Sequence, residues 1–440
     1  MATLSFRALR GDTRTVPVEL RSNFRHLYLD ILWYGVLAGS AISFLTVYAT
    51  RIGADSFQIG LLAAGPAVIN LMVTLPTGRW LESRPIGPAV FWSSVFHRFF
   101  YLIWVVIPWL LLPNVQLSLY IVITLLMTIP GTVLAVGFNA LFADAVPAEW
   151  RGHVTGVRNA VLSVAFIVAS LVSGVILERV PFPTGYQIVF AIGFLGAAMS
   201  SFHLAFVRPL SDGRQQRRAW HRLGDLASPG GMRSALEGTR TSVGERFLTR
   251  SGGKSLVRLE ILSGPFGMVI AGLFFFHLAQ YLAIPLFPLY WINKLNFSDG
   301  LISLGQALFY AAVFIGSTQL NRVSKRFGYH RVLAVGVLGL AAYPAITSIM
   351  QGPALYLLVS VLGGLAWSMV GGAIGNYILE RSPENDRPAY LAWYNLALNA
   401  AILLGALIGP LMAEWVGLSA ALLLAAVARA ASAWFIWRKG

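Results

Sequence analysis

Long apolar stretches separated by short polar connections dominate the chain. A hydrocarbon layer about 30 Å thick is crossed by roughly 20 helical residues, each rising ~1.5 Å. Alternation of apolar and polar residues with period two is absent, which favours helices throughout. The pattern predicts twelve membrane-spanning helices, at residues of roughly 24–49, 56–77, 88–111, 117–143, 155–178, 185–207, 264–291, 298–320, 331–350, 353–379, 389–412 and 418–437.

One long polar segment, at residues 208–260, divides these helices six and six. The expected organisation is therefore an N-terminal tail at 1–23, a first six-helix bundle at 24–207, a basic central loop at 208–260 and a second six-helix bundle at 261–440. The tail is polar, and the apolar stretch after it is too long for the core of a signal peptide, so no cleavable leader is expected. The fold class is an all-α membrane protein.

The composition agrees with a chain whose main solvent is lipid. Hydrophobic residues make up 57% of it and charged residues only 12%, against about 25% charged residues in soluble proteins. The absence of cysteine excludes disulfide frameworks, thiolate nucleophiles and Cys-ligated metals. A stretch ending in Gly253-Lys254-Ser255 resembles a phosphate-binding loop, but Leu248 stands where that loop needs glycine. We expect no enzyme, no ATP-driven pump, no cofactor and no metal site.

The net charge of +15 is an orientation signal. Alternate connections, together with the two termini, carry nearly all of the 33 Lys and Arg residues, whereas the six other connections hold only Arg51, Arg179 and Lys294. The positive-inside rule therefore predicts that both termini are cytoplasmic. Anionic lipid headgroups explain the charge without nucleic acid. The abundance of Arg, Ala and Leu favours a bacterial plasma membrane and a monomer within it.

Two charged motifs recur at matching places in the two halves. Asp144 to Arg151 follows the fourth helix and Glu380 to Arg387 follows the tenth, and both segments spell acid-x-x-Pro-x-x-x-Arg. A second pair lies after helices two and eight, where Gly78 to Arg84 corresponds to Asn321 to Arg331. Parallel six-helix repeats joined by a basic linker are typical of transporters.

On these residues the chain resembles the major facilitator superfamily over about 20–440. That family's loop signature is Gly-x-x-x-Asp-[Arg/Lys]-x-Gly-[Arg/Lys]-[Arg/Lys]; Glu82 replaces its acid in the first copy, and Lys325 stands there in the second. The resemblance implies a cytoplasmic latch that holds the halves together in one state. Its candidates are Gly78, Arg79, Glu82, Asp144, Arg151, Arg326, Gly328, Glu380 and Arg387. The alternative is that these charges only cap helices and obey the inside rule.

Signatures of proton-coupled drug exporters in this family are incomplete. The fourth helix has no Arg or Lys, and the fifth lacks the Gly-Pro of Gly-x-x-x-Gly-Pro. The eleventh helix does contain Gly405, Gly409 and Pro410 in that pattern, which predicts close helix packing and a bend.

Ionisable residues inside a span need a partner or a wet cavity. Asp30 lies in the first helix and Arg98 in the third, while Arg158 begins the fifth and is a rival partner for Asp30. Three interpretations stay open: a structural ion pair that never titrates, a coupling site at which Asp30 takes a proton or moves to a substrate cation, or a carboxylate that simply reaches the membrane interface.

Neutral polar pairs share faces of three other helices: His277 with Gln280, Gln306 with Tyr310, and Asn395 with Asn399. The resemblance implies that their helices surround a central cavity, where these pairs could contact the solute; the alternative is that they only form hydrogen bonds between helices. The aromatic residues Tyr34 and Trp393 lie within spans and are further candidates for that cavity on composition. The expected function is a secondary transporter that moves a small amphipathic or weakly polar solute by alternating access, with protons as the candidate coupling ion. A non-transporting sensor or assembly factor with the same fold is the alternative.

Overall fold

The computed structural model describes residues 16–82, 84–110, 112–210, 259–383 and 387–439. Most of the predicted central loop and of the predicted tail therefore lies outside the described residues. Twelve apolar helices long enough to span a membrane account for nearly all of the described chain, which contains no strand. They are α1 Val18–Arg51, α2 Ser56–Glu82, α3 Ile86–Leu110, α4 Pro113–Ala145, α5 Ala148–Arg179, α6 Thr184–Leu204, α7 Pro265–Lys294, α8 Asp299–Phe327, α9 Tyr329–Ile349, α10 Pro353–Glu380, α11 Arg387–Val416 and α12 Leu418–Lys439.

The predicted number and order of helices are confirmed, but several helices are longer than predicted. α5 begins at Ala148 rather than near 155, and α8 continues to Phe327 rather than ending near 320. Hydropathy locates the part of a helix that lies in hydrocarbon, whereas backbone hydrogen bonding continues into the charged residues at the membrane surface. The extra turns carry the charged motifs.

The packing of the helices repeats between the halves. In the first half, α1 packs on α5 and α6, α3 packs on α4 and α6, and α2 packs on α4. The same pairs recur six helices later, where α7 packs on α11 and α12, α9 on α10 and α12, and α8 on α10. Each half is thus a six-helix bundle built on one plan, and the two bundles meet mainly along two seams, α5 against α8 and α2 against α11.

Two equivalent helices, α1 and α7, are interrupted near the middle of the membrane. In α1 a π-helical stretch at Ala38–Ile42 separates two α-helical segments. In α7 the first segment, Pro265–Ala283, ends before a turn at 284–285, and a second segment runs through Leu286–Leu289 into a π-helical stretch at Tyr290–Lys294. Pro285 and Pro288 lack the N–H groups that a continuous helix would use there.

We call the end of the protein that carries both termini and the charged motifs the basic end, and the other the opposite end. One hydrophobic cluster spans both halves at the opposite end, and includes Tyr48 and Ile59 from the first half and Tyr290 and Tyr356 from the second. At the basic end each half has its own cluster, to which only Ala67 of α2 is added from across the seam. The described core is therefore continuous at one end and divided at the other.

Candidate functional site

A buried charge network lies inside the first half. Asp30 of α1 is fully buried, and its Oδ2 lies 3.1 Å from Nη2 of Arg158 on α5. Its Oδ1 lies 3.9 Å from Nη2 of Arg98 on α3. The structure thus brings together all three residues that the sequence singled out, with Arg158 as the hydrogen-bonded partner and Arg98 as a second ion-pair partner.

Hydroxyl groups on α6 complete this network. Ser200 donates to Asp30 Oδ1 at 2.5 Å, and Arg98 Nη1 donates to Ser201 Oγ at 3.0 Å. Arg158 also donates to the carbonyl of Leu27, and its guanidinium lies 4.8 Å from the ring centre of Phe138 on α4. The charges therefore connect five of the six helices in the first half. This geometry fits the structural ion pair, since nearly every polar atom of the carboxylate and the guanidiniums meets a matched group.

A second polar group lies between α7 and α11 near the middle of the membrane. His277 Nε2 lies 3.1 Å from the hydroxyl of Tyr394, and both residues are buried. One turn along α11, Asn399 donates through Nδ2 to the carbonyl of Asn395 at 2.9 Å. The two helices approach closely because a Cβ on Gly405 would lie 2.7 Å from the carbonyl oxygen of Leu278, so the predicted close packing of α11 is confirmed.

Several amide oxygens near this group lack hydrogen-bond partners within the described part of the chain. They include Oε1 of Gln280 on α7 and Oδ1 of Asn399, which is completely buried. A buried amide without a partner costs free energy, so such atoms favour sites that a ligand fills. Trp393, also a predicted cavity residue, is buried on α11 beside Tyr394.

The remaining predicted cavity residues lie closer to the seams. Tyr310 of α8 packs against Phe166 of α5, with ring centres 3.8 Å apart, and Oε1 of Gln306 one turn earlier has no partner among the described residues. Tyr34 of α1 is buried in the cluster that joins the halves. Tyr310 and Gln306 thus lie on α8 and Tyr34 in the cluster that joins the halves, whereas His277 and Tyr394 pair between α7 and α11.

The opposite end is closed by polar contacts across the α5–α8 seam and beside it. Arg51 at the end of α1 donates to Asp299 Oδ1 of α8 through Nη2 at 2.9 Å and Nε at 3.1 Å, and also to the carbonyl of Phe297. Deeper in the seam, Ser170 of α5 and Ser303 of α8 each donate to the other's carbonyl, at 3.3 and 2.5 Å. We call these four side chains the seam contacts.

Comparison with known proteins relates the second half of the chain to a family. A family model described as the Major Facilitator Superfamily matches residues 269–440. This part of the chain is similar to that superfamily, and the described chain has twelve helices long and apolar enough to span a membrane. A comparison with the sequences of curated proteins gives no match.

Solved structures of transporters share this fold at low sequence identity. The xylose transporter XylE from E. coli has a TM-score of 0.64 at 15% identity, covering 96% of this chain and 98% of that one. The nucleoside transporter NupG gives 0.62 at 12% identity, over 94% and 98% of the two chains. The human organic anion transporter MFSD10 gives 0.59 at 14%, over 96% and 100%. At such identities the likeness shows the fold alone.

Two charged motif residues at the basic end contact residues of their own half. Arg151 donates to the carbonyls of Val146 and Ala143 at 3.1 and 2.7 Å, and so caps the end of α4. Arg326 lies over the ring of Phe327. Gly328 has a φ of +78°, which favours glycine at the turn between α8 and α9.

The other latch candidates are placed as follows. Asp144 accepts a hydrogen bond from Leu210 through its backbone carbonyl at 3.4 Å, Glu380 is exposed, and a Cβ on Gly78 would meet no neighbour. The side chains of Arg79, Glu82 and Arg387 lie outside the described part of the chain. The latch thus stays a prediction, and capping by Arg151 is observed.

Residues that sequence reasoning missed lie in both halves. None of the seam contacts had been assigned a role, although Arg51 had been counted as an outer charge. Arg429 of α12 has no role among the expectations from sequence, and it is buried behind α7. The described residues contain no group of three or more His, Asp or Glu that could hold a metal ion.

Proposed function

We propose that the protein is a secondary transporter of a small, uncharged or weakly polar solute, which crosses the membrane by alternating access between the two halves. One observation carries this proposal: the described core joins the halves at the opposite end and is divided between them at the basic end. A solute site between two bundles that are closed at one end is the arrangement such carriers need.

The solute class is inferred from the chemistry between α7 and α11. His277, Gln280, Tyr394 and Asn399 offer neutral donors and acceptors, two of them unpartnered amide oxygens, in aromatic surroundings. The buried charges of the first half are already engaged with each other. Among the similar folds, NupG is a nucleoside transporter, XylE a xylose transporter and MFSD10 an organic anion transporter, so the solute class rests on the side chains between α7 and α11 and not on the likeness.

We further propose that the basic end faces the cytoplasm of a cell whose plasma membrane holds the protein, and that the conformation described is open toward that side. The distribution of Lys and Arg supports this orientation. Protons remain the candidate coupling ion. Asp30 forms ion pairs with two guanidiniums in this conformation. Asp30 would therefore take up a proton only in another conformation, in which these ion pairs are broken.

The proposal is tested with purified protein in two steps. A thermal-shift screen against a library of nucleosides, sugars and other metabolites identifies solutes that stabilise the fold. Hits are then offered to proteoliposomes, where a carrier gives saturable uptake and counterflow that empty liposomes lack. Binding without any movement of solute would contradict transport and favour the sensor.

A prediction concerns the α7–α11 group. Replacing Tyr394 with Phe removes one hydroxyl and should raise the KM of the screened solute roughly 3- to 10-fold, the worth of a hydrogen bond of about 0.5–1.5 kcal/mol. The matched control is Tyr390→Phe, one turn earlier on α11, where the ring packs on Phe266. Equal KM values in the two variants would show that the Tyr394 hydroxyl does not bind the solute.

A second prediction concerns the Arg51–Asp299 pair. Because both side chains are only partly exposed, at 27% and 12%, breaking the pair should cost about 1 kcal/mol. Asp299→Asn should therefore shift the balance toward opening of the opposite end by roughly 5-fold. A cysteine placed at buried Ser303 reports the shift as faster labelling by a membrane-impermeant maleimide added from that side.

The control for this prediction is Asp55→Asn, an exposed carboxylate at the same end of the protein. The doubly exchanged variant, Arg51→Asp with Asp299→Arg, should return labelling toward its original rate. Unchanged labelling in Asp299→Asn would show that the ion pair does not hold this end closed.

A further inference from the structure

Arg429 is a buried cation that forms no ion pair with a carboxylate within the described residues. It lies in the middle of α12 with 1% of its surface exposed. Nη1 donates to the carbonyl of Leu340 on α9 at 2.7 Å, and Nη2 lies 3.4 Å from the carbonyls of both Ala279 and Gln280 on α7. Its Nε has no partner in the part of the chain that is described. A bare guanidinium in such a place is costly and needs a compensating negative potential.

The interruption of α7 supplies that potential. Ala279 and Gln280 belong to the last turn of the first segment of α7, which ends at Ala283. The backbone carbonyls at the end of a helix carry a partial negative charge, and cations are favoured there. Beyond Gln280 the continuing bond is stretched, with Ile284 N 3.3 Å from its carbonyl. The guanidinium therefore lies at the negative end of a half-helix inside the membrane.

The equivalent interruption in α1 is satisfied differently. Ser40 donates to the carbonyl of Val36 at 2.6 Å and Ser43 to the carbonyl of Ala38 at 2.7 Å. Hydroxyls of the same helix thus bind the carbonyls around the π-helical stretch. In α7 the corresponding donor is charged and comes from another helix, so Arg429 links the α7 interruption to α12.

We propose that Arg429 is a positioning residue: it binds the end of the first segment of α7 from behind and so orients the side chains of its last two turns, His277 and Gln280, toward the solute. This proposal rests on the proposed function only in naming those side chains as solute-facing. The second segment of α7, beyond Pro285, contributes Tyr290 and Trp291 to the cluster that joins the halves. Arg429 accordingly fixes the point about which the two segments of α7 change their angle.

Hydrogen–deuterium exchange of the solute-free protein in nanodiscs tests this assignment without requiring transport. Arg429→Met keeps a long apolar side chain but removes the guanidinium, and should increase exchange in peptides covering 277–290 well above that in peptides of α10. Arg429→Lys keeps the positive charge but lacks the branched guanidinium that reaches both α7 and α9. Exchange at 277–290 should therefore increase by an intermediate amount. Arg438→Met on the same helix, where the guanidinium lies over Trp434, is the matched control and should leave exchange at 277–290 unchanged.

Spin labels give a second readout of the angle between the α7 segments. The chain has no cysteine, so Met268→Cys and Asn293→Cys, both exposed, place one label on each segment. These positions are roughly 35–40 Å apart at ~1.5 Å per residue. The distance distribution should broaden in Arg429→Met, narrow again in Arg429→Lys and stay native in Arg438→Met.

Either of two results would overturn the proposal. One is native exchange at 277–290 with a native distance distribution in Arg429→Met. The other is increased exchange spread equally over α9, α10 and α12, which would make Arg429 a general packing residue. If Arg429→Met does not fold, Arg429→Lys decides, because native exchange at 277–290 in that variant would contradict the role of the branched guanidinium. Failure to find a solute would count against the proposed function and leave these measurements valid.

Discussion

Replacing Asp30 with Asn is expected to cost about 3–5 kcal/mol of folding free energy, because it leaves two buried guanidiniums without a negative charge. Arg158 and Arg98 both lie within ion-pair distance of the Asp30 carboxylate, and both are at least 95% buried. Asn has the same shape and keeps an acceptor for Ser200. The loss of folding free energy therefore measures the removal of the negative charge and not a change in packing. Among the described residues Asp30 is the only buried carboxylate, so no neighbouring acid can replace it.

The thermal unfolding of purified protein in detergent measures this loss. At ~2–4 °C per kcal/mol, the midpoint should fall by roughly 6–20 °C. Asp55→Asn is the matched control, since Asp55 is exposed and only caps the start of α2 through a hydrogen bond from Gln58 N at 2.7 Å. A midpoint equal to that of the control would mean that Asp30 does not neutralise the two guanidiniums.

A double variant separates the structural role of Asp30 from a coupling role. Asp30→Asn combined with Arg158→Met removes the carboxylate together with its hydrogen-bonded cation, and should recover much of the lost stability. If Asp30 also carries the coupling proton, the folded double variant should retain solute counterflow but lose the uptake that a pH gradient drives. Retention of both activities would leave Asp30 with the structural role alone.

The helices and their grouping were predictable because lipid imposes strong rules on sequence. A span has to be long, apolar and hydrogen-bonded internally, and Lys and Arg have to avoid one side of the membrane. Both rules can be seen in a single sequence. The sequence also identified Arg158 and Arg98 as rival partners of Asp30, because ionisable residues in spans are few and each needs a partner. A sequence does not fix how α3 and α5 are rotated about their axes. That rotation decides which of the two arginines forms the hydrogen bond with the Asp30 carboxylate.

Contacts made by neutral or backbone groups could not be foreseen in the same way. His277 and Gln280 were expected to share a face, but the partnership with Tyr394 depends on how α11 is rotated against α7. Ser170 and Ser303 are isolated serines that belong to no sequence motif, so nothing in the sequence indicates their contact. Arg429 binds backbone carbonyls, which every residue has, so its partners leave no signal in the sequence. The apolar stretch around Pro285 predicted one continuous helix, and the structure shows an interruption of α7 there.

Joining Ser170 and Ser303 by a disulfide is expected to abolish net solute uptake. Each of these serines donates to the other's backbone carbonyl across the α5–α8 seam, so their backbones lie close enough for cysteines at the two positions to be tested as a crosslink. Alternating access requires this end to open in every transport cycle, and a covalent bond across the seam prevents opening. The native chain has no cysteine, so oxidation of Ser170→Cys/Ser303→Cys forms no competing disulfide within it.

The experiment compares oxidised and reduced proteoliposomes of the same double variant. Uptake should be lost on oxidation and return on reduction, while Ser170→Cys and Ser303→Cys alone should be insensitive to both treatments because neither can form the bond within one chain. Binding of the solute at the basic end should survive the crosslink, since the cluster that joins the halves lies at the other end. Uptake at the uncrosslinked rate in protein shown to be fully crosslinked would exclude opening of this seam from the transport cycle, and with it the rocking of one half against the other.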